Sequence, residues 1–404
     1  MNTVIKRLMG AATATVLAAA ALTVAPSQAA GKPVVIWCDN ARVAIIKLWA
    51  TSNASKLGAI TVVGQDSVKS SLKTVRPQDA PDIIIGAHDW IGALKANGNI
   101  QPVVLPANAR FDPKVKAAFQ ISGRQYGVPM QTENVALFRN TKMVPNLPKT
   151  FADLERVALA LKRQNSNNRN FVPFAVAQGA GGDAYHMYPL FSGLGGYFFG
   201  GSSLRWNTND IGVASRKFLQ HASLIDKWYK DGFLKASVSS DIALTAFTSG
   251  NAPFYITGPW NLGKIRSSSV SYAISAVPTI VPGIKPVPLI GVQGAMLTSW
   301  AARHAVAISA KKVLAALAGT DSQLFISNLM LRSPANLQAL SQFSRPGATE
   351  FQLAGRGGVP MPAMTAMNAV WAAVGTAWVK STSGASKAAP AFRSAATVVS
   401  KAVK

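Results

Sequence analysis

Three carboxylates stand where the residue types around them could support hydrogen-bonding chemistry. Asp89 ends an apolar stretch with three consecutive isoleucines, Glu133 precedes an apolar run at residues 135–138, and Asp183 lies in a glycine-rich loop two residues before Tyr185. A carboxylate accepts hydrogen bonds from neighbouring hydroxyls, and such bonds are roughly twice as strong as neutral ones. Aromatic faces supply oriented apolar burial beside them. Carboxylates near Trp and Tyr therefore favour a carbohydrate cleft.

Each candidate has a structural alternative that the residues leave open. Asp89 could instead cap the helix expected from Trp90, and Glu133 could pair with Arg139. His88 is expected to pack beside the site. The four histidines show no metal-ligand spacing, and the glycine clusters lack the Gly-Lys-Ser/Thr of a phosphate loop. We therefore expect no metal and no cofactor.

The composition indicates a basic protein with room for two cores. Of 404 residues, 49% are hydrophobic, and 41 Lys and Arg against 16 Asp and Glu give a net charge of +25. The basic residues are dispersed, so we expect no nucleic-acid partner, and the charge favours electrostatic association with an anionic cell envelope. The single cysteine, Cys38, is predicted to be a small buried residue.

The first thirty residues are typical of a secretory signal. Lys6 and Arg7 precede an Ala-rich apolar region at residues 8–24, and Ser27-Gln28-Ala29 forms a small-x-Ala cleavage site. We expect cleavage after Ala29 or Ala30 and a periplasmic or secreted protein. An uncleaved anchor is the alternative. Cys38 does not follow the small residues of a lipoprotein site, so no lipid anchor is expected.

Strand and helix patterns alternate along the chain. Strands are predicted at residues 33–37, 60–63, 82–85, 171–176 and 252–256, with a helix over residues 90–97. A second helix follows Thr150, a predicted N-cap with Asp153 three positions on. From Lys380 the chain is either a last amphipathic helix or a loose tail. This order predicts an α/β fold with mostly parallel sheets flanked by helices.

A set of ordered motifs resembles one known family. The chain is similar to the maltose/maltodextrin-binding proteins of ABC importers, within the wider extracellular solute-binding class, from residue 34 to about residue 378. The motifs that carry this resemblance are PDIIIGAHDW (81–90), ENVALFRNTKMVPNLPKTFADL (133–154), YPLFSGLGGYFF (188–199), AFTSGNAPFYITGPW (246–260), PLIGVQGAM (288–296) and MPAMTAMNAVW (361–371).

The resemblance implies a two-lobed periplasmic-binding-protein fold with the ligand cleft between the lobes. The N-terminal lobe would comprise residues 31–131 plus 293–331, and the C-terminal lobe residues 132–292 plus 332–404. It also implies a monomer that closes on a sugar by hinge bending and delivers it to the membrane permease of an ABC transporter.

The resemblance also implies a set of ligand-binding residues and no catalysis. Asp89 and Glu133 match sugar-hydroxyl acceptors, Asp183 aligns with a longer Glu, and Arg42 aligns with a basic residue near the reducing end. Stacking roles fall on Tyr185, Trp260 and Trp371. The expected ligand-binding set is Arg42, Asp89, Trp90, Glu133, Asp183, Tyr185, Trp260 and Trp371.

Several departures from the family pattern keep another ligand open, and two of them flank the Ala-His-Asp motif. Gly86 replaces an aromatic residue before the Ala-His-Asp motif, and Trp90 replaces a basic residue after it. The expected ligand is maltose or maltodextrin, and the alternative is another disaccharide or polyol such as trehalose. A further alternative is a glycoside hydrolase that uses Asp89 and Glu133 as its carboxylate pair.

Overall fold

The computed structural model describes residues 31–202 and 205–404, so the predicted signal at residues 1–30 lies outside the described part. Two β-sheets, each packed between helices, form the body of the molecule. The strands are β1 (Val34–Asp39), β2 (Ile60–Gln65), β3 (Ile83–Ala87), β4 (Gln120–Ile121), β5 (Arg124–Gln125), β6 (Val128–Glu133), β7 (Ala136–Asn140), β8 (Ala175–Val176), β9 (Phe199–Ser202), β10 (Arg205–Ile211), β11 (Phe254–Thr257), β12 (Tyr272–Ser275), β13 (Leu289–Leu297), β14 (Ser333–Pro334) and β15 (Val359–Pro360).

The helices lie mostly between these strands and after the last of them. They are α1 (Asn40–Ser52), α2 (Ala54–Leu57), α3 (Val68–Ser71), α4 (Ile91–Ala96), α5 (Pro113–Ala117), α6 (Phe151–Gln164), α7 (Tyr188–Gly193), α8 (Arg216–His221), α9 (Ser223–Lys230), α10 (Ser240–Thr248), α11 (Leu262–Arg266), α12 (Trp300–Arg303), α13 (Ala307–Ala318), α14 (Thr320–Met330), α15 (Leu337–Gln342), α16 (Ala348–Ala354), α17 (Met367–Thr382) and α18 (Ala388–Ala402). Short 3-10 turns cover Pro77–Asp79, His88–Trp90, Gly212–Ala214 and Pro259–Asn261.

The first sheet has the strand order β14-β6-β13-β3-β1-β2, with β15 paired to the start of β13. β1 pairs in parallel with β2 and β3, whereas β13 runs antiparallel to both β3 and β6. The second sheet has the order β12-β7-β11-β8, in which only β11 and β8 are parallel. We call each sheet with its packed helices a lobe.

The predicted α/β, two-lobed fold is confirmed, but the expectation of mostly parallel pairing is wrong. Parallel neighbours need a long crossover, such as α1 between β1 and β2. β13 instead returns from the second lobe and runs back between β3 and β6. Sequence order along the chain does not reveal this direction, because it depends on where the returning segment enters the sheet.

The isoleucines of β3 are all buried because both faces of the first sheet are covered. Ile83 and Ile85 pack into a core that includes Trp49 of α1, while Ile84 faces the opposite core, which includes Ile91 of α4. Successive strand residues point to opposite faces of the sheet. A continuous apolar run therefore indicates a strand in a sheet that is covered on both faces.

In the second lobe the sequence predicts the Thr150 cap correctly but predicts too long a strand at residues 171–176. Thr150 caps α6 as predicted, because its Oγ1 accepts from the Asp153 N–H at 3.1 Å. The strand predicted at residues 171–176 is only β8, since Pro173 interrupts the run and lacks an N–H for pairing. The tail is helical, as one of the two alternatives expected, and forms α18 against α17.

The chain passes between the sheets at three places. β6 leads within three residues into β7, β12 leads through a Pro-rich stretch into β13, and β14 precedes α16, which packs on β7 and β12. These passages lie next to each other at β6, β13 and β14 of the first sheet. The lobe limits of 31–131 plus 293–331 and 132–292 plus 332–404 stay a prediction.

Across 31–202 and 205–404, none of the helices combines the length and the apolar content that a bilayer crossing requires.

Two helical glycines give a matched test of the packing. A Cβ on Gly92 in α4 would lie 2.8 Å from the backbone nitrogen of Thr365, whereas a Cβ on Gly263 in α11 would meet nothing within 4 Å. We expect Gly92→Ala to lower the free energy of unfolding by about 1–3 kcal/mol through overpacking. Gly263→Ala should raise it by up to about 1 kcal/mol through helix propensity. Urea unfolding of both variants checks this, and equal effects would contradict the close approach at Gly92.

Candidate functional site

Asp89 leaves the end of β3 within a 3-10 turn and is half-buried. Its side chain caps neither this turn nor α4, so the helix-cap alternative is wrong. Its Oδ2 accepts a hydrogen bond at 3.2 Å from the indole N–H of Trp371, which lies on α17 in the second lobe. The Asp89 carboxylate therefore sits where the two lobes meet.

The side chain of His88 bonds this turn to two neighbouring segments of the chain. Its ring is fully buried, with Nε2 2.8 Å from the carbonyl of Met361 and Nδ1 3.0 Å from the backbone N–H of Val292. This arrangement fits a neutral ring that donates from Nε2 and accepts at Nδ1. Burial lowers the pKa of His88, although the nearby charge of Asp89 acts in the opposite direction. His88 is thus a buried positioning residue, as the sequence indicated.

Glu133 ends β6 and is 8% exposed. Its Oε1 accepts from the side-chain amide of Gln293 on β13 at 2.7 Å, and its Oε2 lies 3.1 Å from Nη1 of Arg332, just before β14. The predicted alternative partner, Arg139, instead donates to the carbonyls of Val144 and Pro145. The Glu133–Arg139 pairing is therefore wrong, and the true partners come from the neighbouring strands.

Arg42 lies on the first turns of α1 and is 5% exposed. Its guanidinium pairs with Asp39 at the end of β1. The pKa of Arg42 is lowered to about 9, first by burial and then by the positive charge of Arg332, while Glu133 acts to raise it. The two guanidiniums and Glu133 are thus close enough for their charges to interact.

Tyr185 reaches the same place from the second lobe. A Cβ on Gly291 would lie 3.5 Å from the Tyr185 hydroxyl and 3.3 Å from Cγ of Glu133, so both side chains border this glycine. The pKa of Tyr185 is raised well above its ordinary value, first by burial and then by the charge of Glu133.

Asp183 is held within its own loop. Its Oδ1 accepts from the backbone N–H groups of Tyr185 and His186 at 3.0 and 2.9 Å, and its Oδ2 lies 2.6 Å from Nδ1 of His186. Burial acts to raise the pKa of Asp183, but His186 and the backbone donors lower it on balance. These hydrogen bonds fix the loop and thereby orient Tyr185.

The aromatic residues line both lobes. Trp260 has its ring 6.1 Å from that of Tyr185 and 5.5 Å from that of His186, and a Cβ on Gly258 would clash with its indole at 2.1 Å. Trp90 covers Gly86 in the same way, because a Cβ on Gly86 would lie 2.1 Å from the Trp90 indole. In each lobe a tryptophan therefore lies over a glycine near the end of a strand. Because Gly86 has no side chain, the Trp90 indole occupies the space beside it.

Five buried polar atoms of this region have no hydrogen-bond partner within the described part of the protein. They belong to Arg42, Arg332, Glu133 and Tyr185, and only two further atoms of this kind occur, in Gln125 and Trp378. The five atoms are Arg42 Nε, Arg42 Nη2, Arg332 Nε, Glu133 Oε2 and Tyr185 Oη. The 3.1 Å contact of Glu133 Oε2 with Arg332 Nη1 is an ion pair without hydrogen-bond geometry. Native proteins pair nearly all buried polar atoms with protein, water or ligand, so these atoms can take up a polar partner.

Sequence reasoning found most of these positions and missed three. The structure brings Asp89 together with Trp371, Glu133 with Tyr185, and Tyr185 with Trp260, and that all eight bind a ligand stays a prediction. Arg332, Gln293 and His186 were not expected in this region. The signal for Arg332 was its place at a predicted lobe crossover, where side chains can face the other lobe. The three His, Cys, Asp or Glu groups that a metal would need do not come together anywhere in residues 31–202 and 205–404.

Comparison with known families gives this arrangement a context. A family model described as bacterial extracellular solute-binding protein matches residues 59–324. The chain belongs to this family. The extracellular solute-binding fold has two lobes around a ligand cleft, and the residues described above come from both lobes.

Three curated relatives of this solute-binding protein are informative. A maltooligosaccharide ABC transporter solute-binding lipoprotein of Streptococcus pneumoniae is 25% identical over 334 residues, covering 81% of this chain and 77% of the relative. The maltodextrin-binding protein MdxE of Bacillus subtilis is 27% identical over 225 residues, covering 54% and 52%. A galactooligosaccharide-binding protein of Bacillus subtilis is 23% identical over 363 residues, covering 86% and 84%.

The buried neutral state of His88 predicts a pH dependence of stability. Because its folded-state pKa is lowered, the unfolded chain takes up a proton near pH 6.5 that the folded protein resists. The free energy of unfolding should therefore fall as the pH decreases below about 6.5, by at most about 1.4 kcal/mol per pH unit from this residue. In His88→Gln this contribution should be absent.

Urea unfolding between pH 7.5 and pH 5 measures this dependence. His221, which contacts the backbone carbonyls of Leu194 and Lys217, gives the matched control His221→Gln. The control should keep the slope of the parent protein. An unchanged slope in His88→Gln would contradict the assignment.

Proposed function

We propose that this solute-binding protein is the extracytoplasmic receptor of an ABC importer for a neutral oligosaccharide, most simply one of the maltodextrin type. Family membership supports a binding protein that does not catalyse a reaction. Two relatives are named for maltooligosaccharide or maltodextrin binding. The ligand would bind between the lobes at the polar and aromatic residues near Asp89, Glu133 and Tyr185.

The observation that carries this proposal is the mixed character of the unpartnered atoms. The guanidinium nitrogens of Arg42 and Arg332 only donate, Oε2 of Glu133 only accepts, and the Tyr185 hydroxyl does both. A sugar hydroxyl donates one hydrogen bond and accepts others at the same time. A cluster of hydroxyls therefore matches such a set better than a group that only donates or only accepts.

The aromatic rings support a pyranose ligand. Trp260 beside Tyr185, and Trp371 beside Asp89, combine a flat apolar face with a polar neighbour. Sugar rings have apolar C–H faces and polar edges, so they can stack and hydrogen-bond in one orientation. Asp89 can accept from a ligand as well as from Trp371, because a carboxylate has several lone-pair positions.

A hinge motion would couple binding to transport. The three chain passages lie side by side at β6, β13 and β14, an arrangement that permits the lobes to rotate about them. A ligand that contacts both lobes stabilises the closed form over the open form. We propose that the permease of the importer recognises this closed form, that the receptor acts as a monomer, and that residues 1–30 are removed on export. Loss of Lys6 and Arg7 would lower the net charge from +25 to 25 − 2 = +23, which would hold the exported protein near an anionic envelope.

A different saccharide is the second candidate, and one local feature favours it. The indole of Trp90 covers Gly86. In the maltodextrin-binding pattern an aromatic residue stands at position 86 and a basic residue at position 90. These two differences change the side chains that lie next to Asp89. A galactooligosaccharide-binding relative also covers 86% of the chain. A thermal-shift panel of maltose, maltotriose, trehalose and a galactooligosaccharide separates these ligands, because a bound ligand raises the melting temperature.

The stacking roles of two tryptophans can be tested by calorimetry with maltotriose. Trp260→Ala and Trp371→Phe should each weaken binding about ten- to a hundredfold, because a stacking face or a hydrogen bond to Asp89 is lost. Trp49→Phe is the matched control, since the Trp49 indole N–H donates to Oγ of Ser322 at 2.9 Å within the core of the first lobe. Undiminished maltotriose affinity in both test variants would refute this site. A parent protein that binds no sugar of the panel would refute the function.

A further inference from the structure

Arg332 is buried and follows a residue with an uncommon backbone conformation. The preceding residue, Leu331, ends α14 in the left-handed region with φ of 55°. A bulky residue in this region is uncommon and strained, and such strain concentrates at functional sites. The turn leads directly into β14, and the Arg332 side chain is left 5% exposed.

The contacts of Arg332 do not satisfy its guanidinium. Nη1 lies 3.1 Å from Oε2 of Glu133, but Nε is buried without a hydrogen-bond partner in the described part of the chain. The guanidinium stays charged, and its N–H donors point in fixed directions, each of which needs a hydrogen-bond acceptor. A buried charge with an incomplete set of partners is costly unless another group completes it.

The charges of this cluster balance without a charged ligand. Arg42 pairs with Asp39, and Arg332 pairs with Glu133. The atoms without a hydrogen bond are guanidinium nitrogens, the Tyr185 hydroxyl and Oε2 of Glu133, whose one contact is the ion pair with Arg332. A neutral hydroxyl can accept from a guanidinium and donate to the carboxylate. An anionic group would instead give Oε2 of Glu133 no further donor and would stand beside its negative charge.

We propose that Arg332 binds the ligand directly and that, with Arg42 and Glu133, it selects neutral sugar hydroxyls over an acidic group at this end of the cleft. This inference rests on the proposed function, and it adds to it a residue and a rule of selectivity. Arg332 acts in two ways, because it contacts the hydroxyls through Nε and keeps the Glu133 carboxylate in place.

Calorimetry with maltotriose and its aldonic acid, which carries a carboxylate at the reducing end, tests the contact. The parent protein should bind maltotriose and bind the aldonic acid at least about tenfold more weakly, since like charges placed together are costly. Arg332→Met should weaken maltotriose binding about ten- to a hundredfold. Arg332→Lys should restore only part of the affinity, because a point charge cannot replace the fork. Arg345→Met is the matched control, since Arg345 is exposed and bonded to Asn328.

A change of selectivity distinguishes ligand contact from a purely structural role. Glu133→Gln removes the negative charge, so the aldonic acid should gain at least about tenfold relative to maltotriose. The double variant Glu133→Gln with Arg332→Met should lose this gain, because the guanidinium that attracts the carboxylate is gone. A structural role for Arg332 would weaken both ligands equally and leave their ratio unchanged.

The outcomes separate the two proposals. If the parent protein binds no saccharide, the proposed function fails and the inference falls with it. If the parent binds maltotriose, and Arg332→Met binds it equally well or Glu133→Gln leaves the ratio unchanged, the inference alone is overturned.

Discussion

The buried ion pair between Glu133 and Arg332 links the places where the chain passes from one lobe to the other. Glu133 ends β6, Arg332 precedes β14, and Gln293 of β13 donates to the same carboxylate at 2.7 Å. These three strands are neighbours in the first sheet. A charge pair at this depth restricts the geometry of the passages, because separating the charges would leave each one buried and uncompensated. The chain passages between the lobes and the polar end of the candidate cleft are therefore built from the same residues.

A second buried contact determines how Asp89 is presented. His88 joins the end of β3 to β13 and to the carbonyl of Met361, so two hydrogen bonds hold the turn after β3. Asp89 follows in the same turn, caps no helix, and accepts at its Oδ2 from the indole N–H of Trp371. The buried strand and the histidine bonds together fix the turn from which this carboxylate projects.

The sequence predicts the fold where the signal is local and fails where direction depends on the whole chain. The triple isoleucine of β3 and the Thr150 cap follow from burial and capping rules. The antiparallel course of β13 does not, since it depends on a return from the other lobe. The same limit applies to the candidate site. The local sequence pattern is the same whether Asp89 caps a helix or lies in a cleft, and no local pattern predicts the left-handed Leu331 that precedes the buried Arg332.

The unpartnered polar atoms affect both stability and binding. Each buried donor or acceptor without a partner lowers the stability of the folded protein by about 1–3 kcal/mol. Tyr185 of the second lobe and Glu133 of the first lobe both border Gly291, so a ligand that bonded to both would depend on this arrangement of the lobes. In the proposed mechanism such a ligand would gain these bonds in the closed form and not in the open one, which is the condition for shifting the balance between two conformations. A site that is polar, buried and incomplete in the protein alone would therefore be suited to drive the proposed closure.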